Sequence, residues 1–450
     1  MSAPDSTIYA LATAPGRSGV AIVRVSGAEA RNVIAHVTRR DPPRPRVASL
    51  RRIFGDDDAP IDDALVLFFA GPNSFTGEDL AELHLHGGPA VIAALLRMLR
   101  KMTNCRLAEA GEFTRRAFHN NKLDLAQVEG LADLVAAETE AQRRQALRQA
   151  EGAPSRLYES WRAWLLRTLA RVEAFIDFPD EGLPDQLMRS IDGEIAELAG
   201  ELSRHLDDSH CGEILRDGLT VAILGAPNVG KSSILNRLAQ REAAITSAIA
   251  GTTRDVIEVR MDLGGYPVTI ADTAGLRESA DEIEREGITR ALARAEHADL
   301  KLLVFDGGDW PRIDAETAKL VDDRALCVVN KADLLREPEP IAIEGRAVIK
   351  VSARTGLGLS GLGLSGLAAA LTEAAEARMA AGEGVVLTRA RHRAALEACH
   401  QALLRAEAAG LPELKAEDLR LAARALGKIT GRVDVEDVLD LIFKEFCIGK

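Results

Sequence analysis

The pattern of hydrophobic and polar positions divides the chain into regions of different kinds. From Thr7 to about Arg115, apolar runs such as "IYALATA", "VAIVRVSG", "DDALVLFFAGP" and "DLAELHLHGG" predict short strands, and "AVIAALLRMLRKM" predicts a helix. From Leu123 to about Ala174 the apolar residues recur at helical spacing with charged residues between them, which predicts long amphipathic helices. A further helical run is predicted from about Gln186 to Leu206.

The pattern changes again at Gly218. "LTVAILGAPNVGKSSILNRLA" predicts a strand, a loop and a helix, and strand and helix signals alternate until about Ala375. Helical spacing then resumes towards the terminal "VEDVLDLIFKEFCIGK". The predicted fold class is therefore multidomain α/β, with a doubly wound, Ras-like P-loop domain inserted in a discontinuous helical domain that follows an α+β domain. The expected boundaries are 1–118, 119–215, 216–375 and 376–450.

Composition and charge narrow the possible functions. The formal charge of −12 argues against a general nucleic-acid coat, so any RNA contact must be local. Five cysteines lie without CxxC spacing, which predicts neither a zinc site nor a disulfide framework and fits a reducing compartment. No signal peptide and no run of about 18 apolar residues is present in the sequence, so we expect a cytoplasmic protein without a membrane segment.

The stretch "GAPNVGKS", Gly225 to Ser232, fits the phosphate-binding pattern G-x-x-x-x-G-K-[ST] between a predicted strand and a predicted helix. Backbone N–H groups of such a loop bind phosphate oxygens, Lys231 supplies positive charge to the β and γ phosphates, and the Ser232 hydroxyl can ligate Mg²⁺. The first candidate nucleotide contacts are Asn228, Val229, Gly230, Lys231, Ser232 and Ser233.

Four further motifs follow in the order of a GTPase. "GTTRD" offers Thr253 as a second Mg²⁺ hydroxyl, "DTAG" offers a γ-phosphate contact, and "NKAD" offers Asp333, whose carboxylate can accept two N–H bonds from guanine but finds no such donors on adenine. "SAR" supplies a backbone N–H for the guanine oxygen. The ordered set predicts guanine nucleotide binding through Ser247, Thr252, Thr253, Asp272, Thr273, Ala274, Gly275, Asn330, Lys331, Asp333, Ser352, Ala353 and Arg354.

Leu276 stands where Ras-type enzymes keep the glutamine that orients the attacking water. An aliphatic side chain cannot orient water, so either another group performs this task or the chain is a nucleotide-gated scaffold with negligible hydrolysis. A turnover assay with potassium distinguishes the two.

Several separate segments resemble one family. "TAPGRSGVAIVRVSG", "GPNSFTGEDLAELHLHGG", "AEAGEFTRRAFHNNKLDLAQVE", "FIDFPDE", the long stretch from "GAPNVGKSS" to "GTTRDV", "DTAGLR" and the terminal "FCIGK" are similar to the MnmE (TrmE) family of bacterial tRNA modification GTPases, of the potassium-activated, dimerisation-dependent Era/TrmE-like class. The resemblance covers essentially the whole chain. The tandem "GLGLS" duplication departs from the family pattern, and we assign it no function.

The resemblance implies a dimeric enzyme with a folate-binding amino-terminal domain. Such enzymes work with an FAD-containing partner, MnmG (GidA), to install an aminomethyl or carboxymethylaminomethyl group on C5 of the wobble uridine of certain tRNAs. The carbon unit comes from a tetrahydrofolate derivative (5-formyl- or methylene-tetrahydrofolate). The implied folate contacts are Arg24, Glu82, Lys122 and Lys450.

The resemblance also implies which groups perform the task of the glutamine that is absent at Leu276. K⁺ is expected at Asn228, Ser247, Ile249 and Thr252, and GTP hydrolysis is expected to be activated when two G domains meet face to face. Glu284 matches the catalytic glutamate of the family and is expected to act through a bridging water, whereas without the resemblance its position within a charge run favours a solvated helix face.

Other residues keep two readings. Arg24, Glu82 and Lys122 are by themselves ordinary strand or helix-start residues, and Cys447 is either a functional thiol or a partly buried core thiol. His84 and His86 share a strand face but lack a third metal ligand, so strand residues are expected. Three further arginines are candidates for tRNA contact, but a solvated helix face is the expectation for them. They are Arg389, Arg391 and Arg393.

The alternative function is a ribosome-assembly GTPase, a switch that binds rRNA without folate chemistry. That class usually appends an RNA module such as a KH domain with its GXXG loop, and the sequence after Ala375 contains none.

Overall fold

The computed structural model describes residues 6–178, 185–241, 257–272, 296–335, 342–359, 366–379 and 385–433, together with residues 439, 442–444, 446 and 449. Within these ranges the strands are β1 (Thr7–Leu11), β2 (Ser18–Ser26), β3 (Ser49–Phe54), β4 (Pro60–Phe69), β5 (Leu80–Gly87), β6 (Cys105–Leu107), β7 (Leu219–Leu224), β8 (Ile257–Leu263), β9 (Tyr266–Asp272), β10 (Leu300–Asp306), β11 (Ala325–Asn330), β12 (Ala342–Ile343) and β13 (Arg346–Lys350).

The helices of the described part are α1 (Ala30–Thr38), α2 (Pro89–Lys101), α3 (Glu112–His119), α4 (Leu125–Ala136), α5 (Glu140–Ala150), α6 (Ala153–Asp177), α7 (Asp185–Leu206), α8 (Cys211–Asp217), α9 (Lys231–Arg241), α10 (Ala315–Ala318), α11 (Leu367–Met379), α12 (Ala390–Ala408) and α13 (Pro412–Thr430), with one 3₁₀ turn at Ala332–Leu334.

The chain divides into two compact units. The first contains Met1–Ala132, Arg148–Pro184 and Ala408–Lys450, and the second contains Asp133–Leu147 and Asp185–Glu407. The predicted mixture of an amino-terminal α+β part, long helices and an inserted α/β part is confirmed. The four predicted domain boundaries stay a prediction, because the two compact units divide the segments of the predicted helical domain between them.

The first unit contains a six-stranded sheet in the order β3-β4-β5-β2-β1-β6. Alternate residues of its strands are buried, as in β2, where Ala21, Val23 and Val25 are buried and the residues between them, Ile22 and Arg24, are less buried. Helices α1 and α2 supply the other half of this core. In the same unit α6 packs along α13, whose buried positions include several alanines, such as Ala422 and Ala423.

The second unit contains a seven-stranded sheet in the order β12-β13-β11-β10-β7-β9-β8. Strands β13, β11, β10, β7 and β9 run parallel, and β12 and β8 are antiparallel edges. The central β10 is apolar and buried along both faces, as expected for a parallel sheet covered on two sides. This order brings the carboxyl ends of β7, β10 and β11 together, which is where ligands bind in open α/β sheets.

Candidate functional site

The phosphate loop lies between β7 and α9, as its pattern predicts. Gly225 and Gly230 have φ angles of 150° and 95°. A Cβ atom on Gly225 would lie 2.3 Å from the carbonyl oxygen of Val304, and one on Gly230 would lie 2.3 Å from Nδ2 of Asn330. Only glycine fits these two positions, because both the backbone conformation and the space exclude a side chain.

The start of α9 carries the polar groups that face a phosphate. Lys231 is 8% exposed, and its Nζ donates hydrogen bonds of 2.8 and 2.9 Å to the carbonyls of Gly225 and Ala226. Ser232 and Ser233 are exposed in the first helical turn. Unpaired N–H groups and the positive end of the helix dipole make such a helix start an anion site.

Asn330 joins the phosphate loop to the segment that carries the base-reading motifs. Its side chain is almost fully buried, donates a 2.7 Å hydrogen bond to the carbonyl of Val229, and accepts a 3.1 Å hydrogen bond from the N–H of Ala353. The predicted "NKAD" and "SAR" motifs are therefore brought to the phosphate loop by one side chain. The sequence contained the asparagine but no signal for this bridging role.

Asp333 lies in the 3₁₀ turn after β11, with its carboxylate exposed. The buried Ser352 hydroxyl donates a 2.6 Å hydrogen bond to Asp333 Oδ1, and this bond holds the pKa of Asp333 below its usual range. Lys331 pairs with Asp306 at 2.5 Å. Asp333 is thus an ionised acceptor held in a fixed orientation, as recognition of guanine N–H groups requires.

Part of the predicted nucleotide and ion set has no structural description. Asp272 ends β9, and nothing is described of its side chain. Arg354 is exposed beside the base-reading motif. The predicted residues outside the described ranges are Ser247, Ile249, Thr252, Thr253, Thr273, Ala274, Gly275 and Glu284.

A second polar site lies on the sheet of the first unit. Arg24 on β2 is directly opposite Glu82 on β5, and their side chains form an ion pair with an Nη2–Oε1 distance of 2.8 Å. The Arg24 guanidinium also lies 5.7 Å from the ring centre of Phe75 and 5.8 Å from that of Phe113. Sequence reasoning did not identify the two phenylalanines, since only the tertiary structure places them beside this arginine.

The carboxyl-terminal segment contributes to the same polar site around Arg24. The carbonyl of Gly449 accepts a 3.4 Å hydrogen bond from Arg24 Nη1. Lys122 is exposed directly after α3, and the structure shows no contact between it and Arg24 or Glu82. Lys450 and Cys447 lie outside the described residues.

His84 and His86 are strand residues of β5, as expected. His84 is 3.3 Å from Glu82, and His86 pairs with Asp62 at 2.7 Å. Among the described residues no group of three or more histidine, cysteine, aspartate or glutamate side chains is arranged to hold a metal ion. In the same described ranges no helix is long and apolar enough to cross a lipid bilayer.

The expectation of a solvated face was wrong for two of the three arginines near the start of α12. Arg389 is buried and pairs with Asp133 at 2.7 Å, and Arg393 pairs with Asp208 at 2.6 Å and with Glu213 at 3.1 Å. The cause is that carboxylates distant in sequence compensate these charges within the second unit, which allows the guanidinium groups to be buried.

Comparison with known proteins identifies the family of the chain. Two family models match: "GTP-binding protein TrmE N-terminus" over residues 7–122 and "MnmE helical domain" over residues 125–447. The "tRNA modification GTPase MnmE" of Paramagnetospirillum magneticum is 55% identical over 99% of this chain and 100% of its own length. The protein of the same name from Parvibaculum lavamentivorans is 56% identical over 99% and 100%.

Among solved structures, the G domain of the T. maritima FeoB iron transporter matches with 22% identity and a TM-score of 0.26, covering 36% of this chain and 98% of that chain. That TM-score is too low to support a fold assignment, which rests on the strand order and the phosphate loop of the second unit. At the identity and coverage of the full-length relatives, the chain belongs to the MnmE family of tRNA modification GTPases.

Proposed function

We propose that this protein hydrolyses GTP and, with an FAD-containing MnmG (GidA) partner, adds an aminomethyl or carboxymethylaminomethyl group to C5 of the wobble uridine, position 34, of certain tRNAs. The observation that carries the proposal is the Arg24–Glu82 pair, placed under the Gly449 carbonyl in the same chain as a GTP site. A folate site in the same chain as a nucleotide domain is what separates a one-carbon tRNA enzyme from a ribosome-assembly switch. Because tRNA is the substrate, the activity belongs in the cytoplasm.

The nucleotide site supports GTP as the bound nucleotide. Asp333 reads the guanine edge, Lys231 binds the β and γ phosphates once it exchanges its loop carbonyls for phosphate oxygens, and Ser232 with Thr253 holds Mg²⁺. Mg²⁺ and K⁺ supply positive charge against the phosphates when bound. The exposed Asn228 belongs to the K⁺ site, which we complete with Ser247, Ile249 and Thr252.

Hydrolysis without a glutamine needs a group that orients the water. We assign this task to Glu284, which acts through a bridging water, and we expect it to be in place when two G domains meet face to face. Leu276 then has no catalytic role.

The folate site combines groups suited to the two ends of a tetrahydrofolate. Glu82 can accept hydrogen bonds from the N–H groups of a pterin, and Arg24, which pairs with Glu82 at 2.8 Å, lies at the same end of the ligand. Lys122 and Lys450 can pair with glutamyl carboxylates. Phe75, which is 37% exposed, adds apolar surface next to the guanidinium of Arg24, and the fully buried Phe113 lies near the same guanidinium group from within the core. Cys447, close to Lys450 in sequence, is the candidate functional thiol.

Dimerisation through the amino-terminal sheet is supported by exposed apolar residues. Leu50 on β3 and Leu65 on β4 are paired across the strands and are 70% and 44% exposed. Large apolar side chains that lie together on a sheet surface are typical of a surface covered by another chain. We therefore expect a homodimer that binds one folate per amino-terminal domain.

The test is nucleoside analysis of tRNA from a strain that lacks this protein. We expect loss of the wobble-uridine modification, restoration by the parent gene, and no restoration by Glu82→Gln. The matched control is Asp63→Asn on the same sheet, which removes an exposed carboxylate paired with Arg52 and should restore the modification. Intact modification in the strain without the protein would refute the proposed function.

A further inference from the structure

A cluster of arginines lies in the first unit and includes none of the residues assigned to the nucleotide and folate sites. Between Arg39 and Arg52 the chain has six arginines and a single acidic residue, Asp41, although the whole protein carries a formal charge of −12. The segment joins α1 to β3 and includes most of β3, which is an edge strand of the sheet. A concentration of positive charge in an acidic protein marks a local surface for an anionic partner.

Contacts to the sheet fix the segment in place. Pro43 is buried, and the backbone N–H of Arg46 donates a 2.8 Å hydrogen bond to the carbonyl of Phe68. The Arg46 guanidinium lies 5.6 Å from the ring centre of Phe69. Arg51 Nη1 donates a 2.5 Å hydrogen bond to the carbonyl of Asp41, so β3 and the preceding loop hold each other. The arginines therefore lie on a segment whose backbone is held in place by the sheet.

Two of the six arginines are neutralised and four are not. Arg39 pairs with Asp58 at 2.7 Å, and Arg52 pairs with Asp63 at 2.9 Å. The other four arginines form no ion pair with any carboxylate in the described part of the chain. They are Arg40, Arg44, Arg46 and Arg51. We call these four the arginine strip. Arg40 and Arg44 are also exposed, which leaves their guanidinium groups in contact with solvent.

The arginine strip lies alongside β4. Arg51 is paired with Ala64 in the middle of that strand, and Arg46 contacts Phe68 and Phe69 at its end. Six residue steps separate Arg40 from Arg46, which corresponds to about 20 Å of extended chain. A row of guanidinium groups on this scale can contact several successive phosphates of a nucleic-acid backbone.

We propose that the arginine strip is a docking surface for the phosphodiester backbone of the tRNA substrate. The inference rests on the proposed function for the identity of the RNA. Arginine suits this task because its planar guanidinium group binds phosphate through two parallel hydrogen bonds. Contacts of this kind carry no sequence information, so the strip positions the tRNA on the enzyme and leaves base recognition to other surfaces.

The test measures binding of an unmodified tRNA transcript to the full-length protein by fluorescence anisotropy at several NaCl concentrations. The variant is Arg40→Ala/Arg44→Ala. The matched control is Arg143→Ala/Arg144→Ala, which removes two exposed arginines of α5 that pair with Glu140. Both variants lose two positive charges, so a general charge effect would change them equally. GTP turnover and melting temperature check that each variant is folded.

We expect the strip variant to bind tRNA roughly tenfold more weakly at about 0.1 M salt, and the control to bind like the parent. The slope of log affinity against log salt should decrease in magnitude by about 2, or about 1 for each phosphate contact removed. Unchanged affinity and slope in the strip variant would overturn the inference and leave the proposed function standing.

Two other outcomes also count against the inference. A parent protein that binds no tRNA would overturn it and would weigh against the proposed function as well. Loss of binding to phosphatidylglycerol vesicles in the strip variant, with tRNA binding unchanged, would assign the strip to a lipid surface.

Discussion

The side-chain amide of Asn330 donates a 2.7 Å hydrogen bond to the backbone carbonyl of Val229, and thereby ties the end of β11 to the phosphate loop. The same side chain accepts the N–H of Ala353. Two loops that are predicted to contact opposite ends of one nucleotide are thus held at a fixed separation, which would lower the ordering cost of binding.

Asn330→Ala should weaken binding of both GDP and GTP and lower the melting temperature. The change leaves the Val229 carbonyl and the Ala353 N–H without their partner, at a cost of about 1–3 kcal/mol for each buried group. Titration with a fluorescent guanine nucleotide and a thermal melt measure the two effects. Asp309→Ala, which alters an exposed residue of the same unit, is the control, and equal nucleotide affinity in Asn330→Ala would contradict the bridging role.

Asp333→Asn should weaken GTP binding and favour xanthine nucleotides. The new amide presents a donor where guanine also presents donors, and an unpaired buried donor costs about 1–3 kcal/mol. Competition between GTP and XTP measures the switch. Asp309→Asn should leave the preference for GTP unchanged. GTP affinity in Asp333→Asn equal to that of the parent would remove Asp333 as the base-reading residue.

Glu284→Ala should leave GTP affinity nearly unchanged and lower potassium-stimulated turnover by about two orders of magnitude or more. Glu282→Ala, which changes a neighbour in the same charge run, should have little effect. Phosphate release in KCl and in NaCl measures both variants. Full turnover in Glu284→Ala, or equal parent rates in the two salts, would show that the glutamine is replaced in another way.

Deletion of Lys450 should weaken binding of 5-formyl-tetrahydrofolate and leave GTP affinity intact. The chain end reaches the Arg24–Glu82 pair through the Gly449 carbonyl, whereas the phosphate loop belongs to the other unit. Calorimetric titrations with folate and with nucleotide separate the two effects. A Lys444→Ala variant controls for loss of one positive charge nearby. Folate binding that survives the deletion unchanged would exclude Lys450 from the site.

Glu112→Gln should destabilise the protein by about 2 kcal/mol near neutral pH. Burial of Glu112 opposes ionisation, but hydrogen bonds from Arg106, the backbone of Glu109 and Arg116 outweigh it and lower the pKa of the carboxyl. Ionised Glu112 therefore stabilises the fold above the ordinary glutamate pKa of 4.5, and this contribution is lost as the pH falls through the lowered value. Melting curves should show a gap in melting temperature between the parent and the variant at pH 7, and this gap should narrow at acidic pH. A gap independent of pH would contradict this role.

The sequence by itself determined the position of the phosphate loop and the kinds of element around it. Apolar residues in β7 and the glycines at 225 and 230 fix a strand, a loop and a helix start through local geometry alone. The same holds for β2, β4, β5 and α2, whose spacing of apolar residues is visible within one short segment. The pattern did not reveal α1, β3 or β6, because their signals are short or mixed with charges.

The tertiary structure alone decided which side chains meet. Strand register places Arg24 opposite Glu82, and sheet order brings Asn330 to Val229 across 101 positions of sequence. Arg389 is buried against Asp133, 256 positions away, where helical spacing indicated a solvated face. Local spacing sets which face of an element is apolar, but the partner of a charged group depends on how distant segments pack, and that packing is a property of the whole fold.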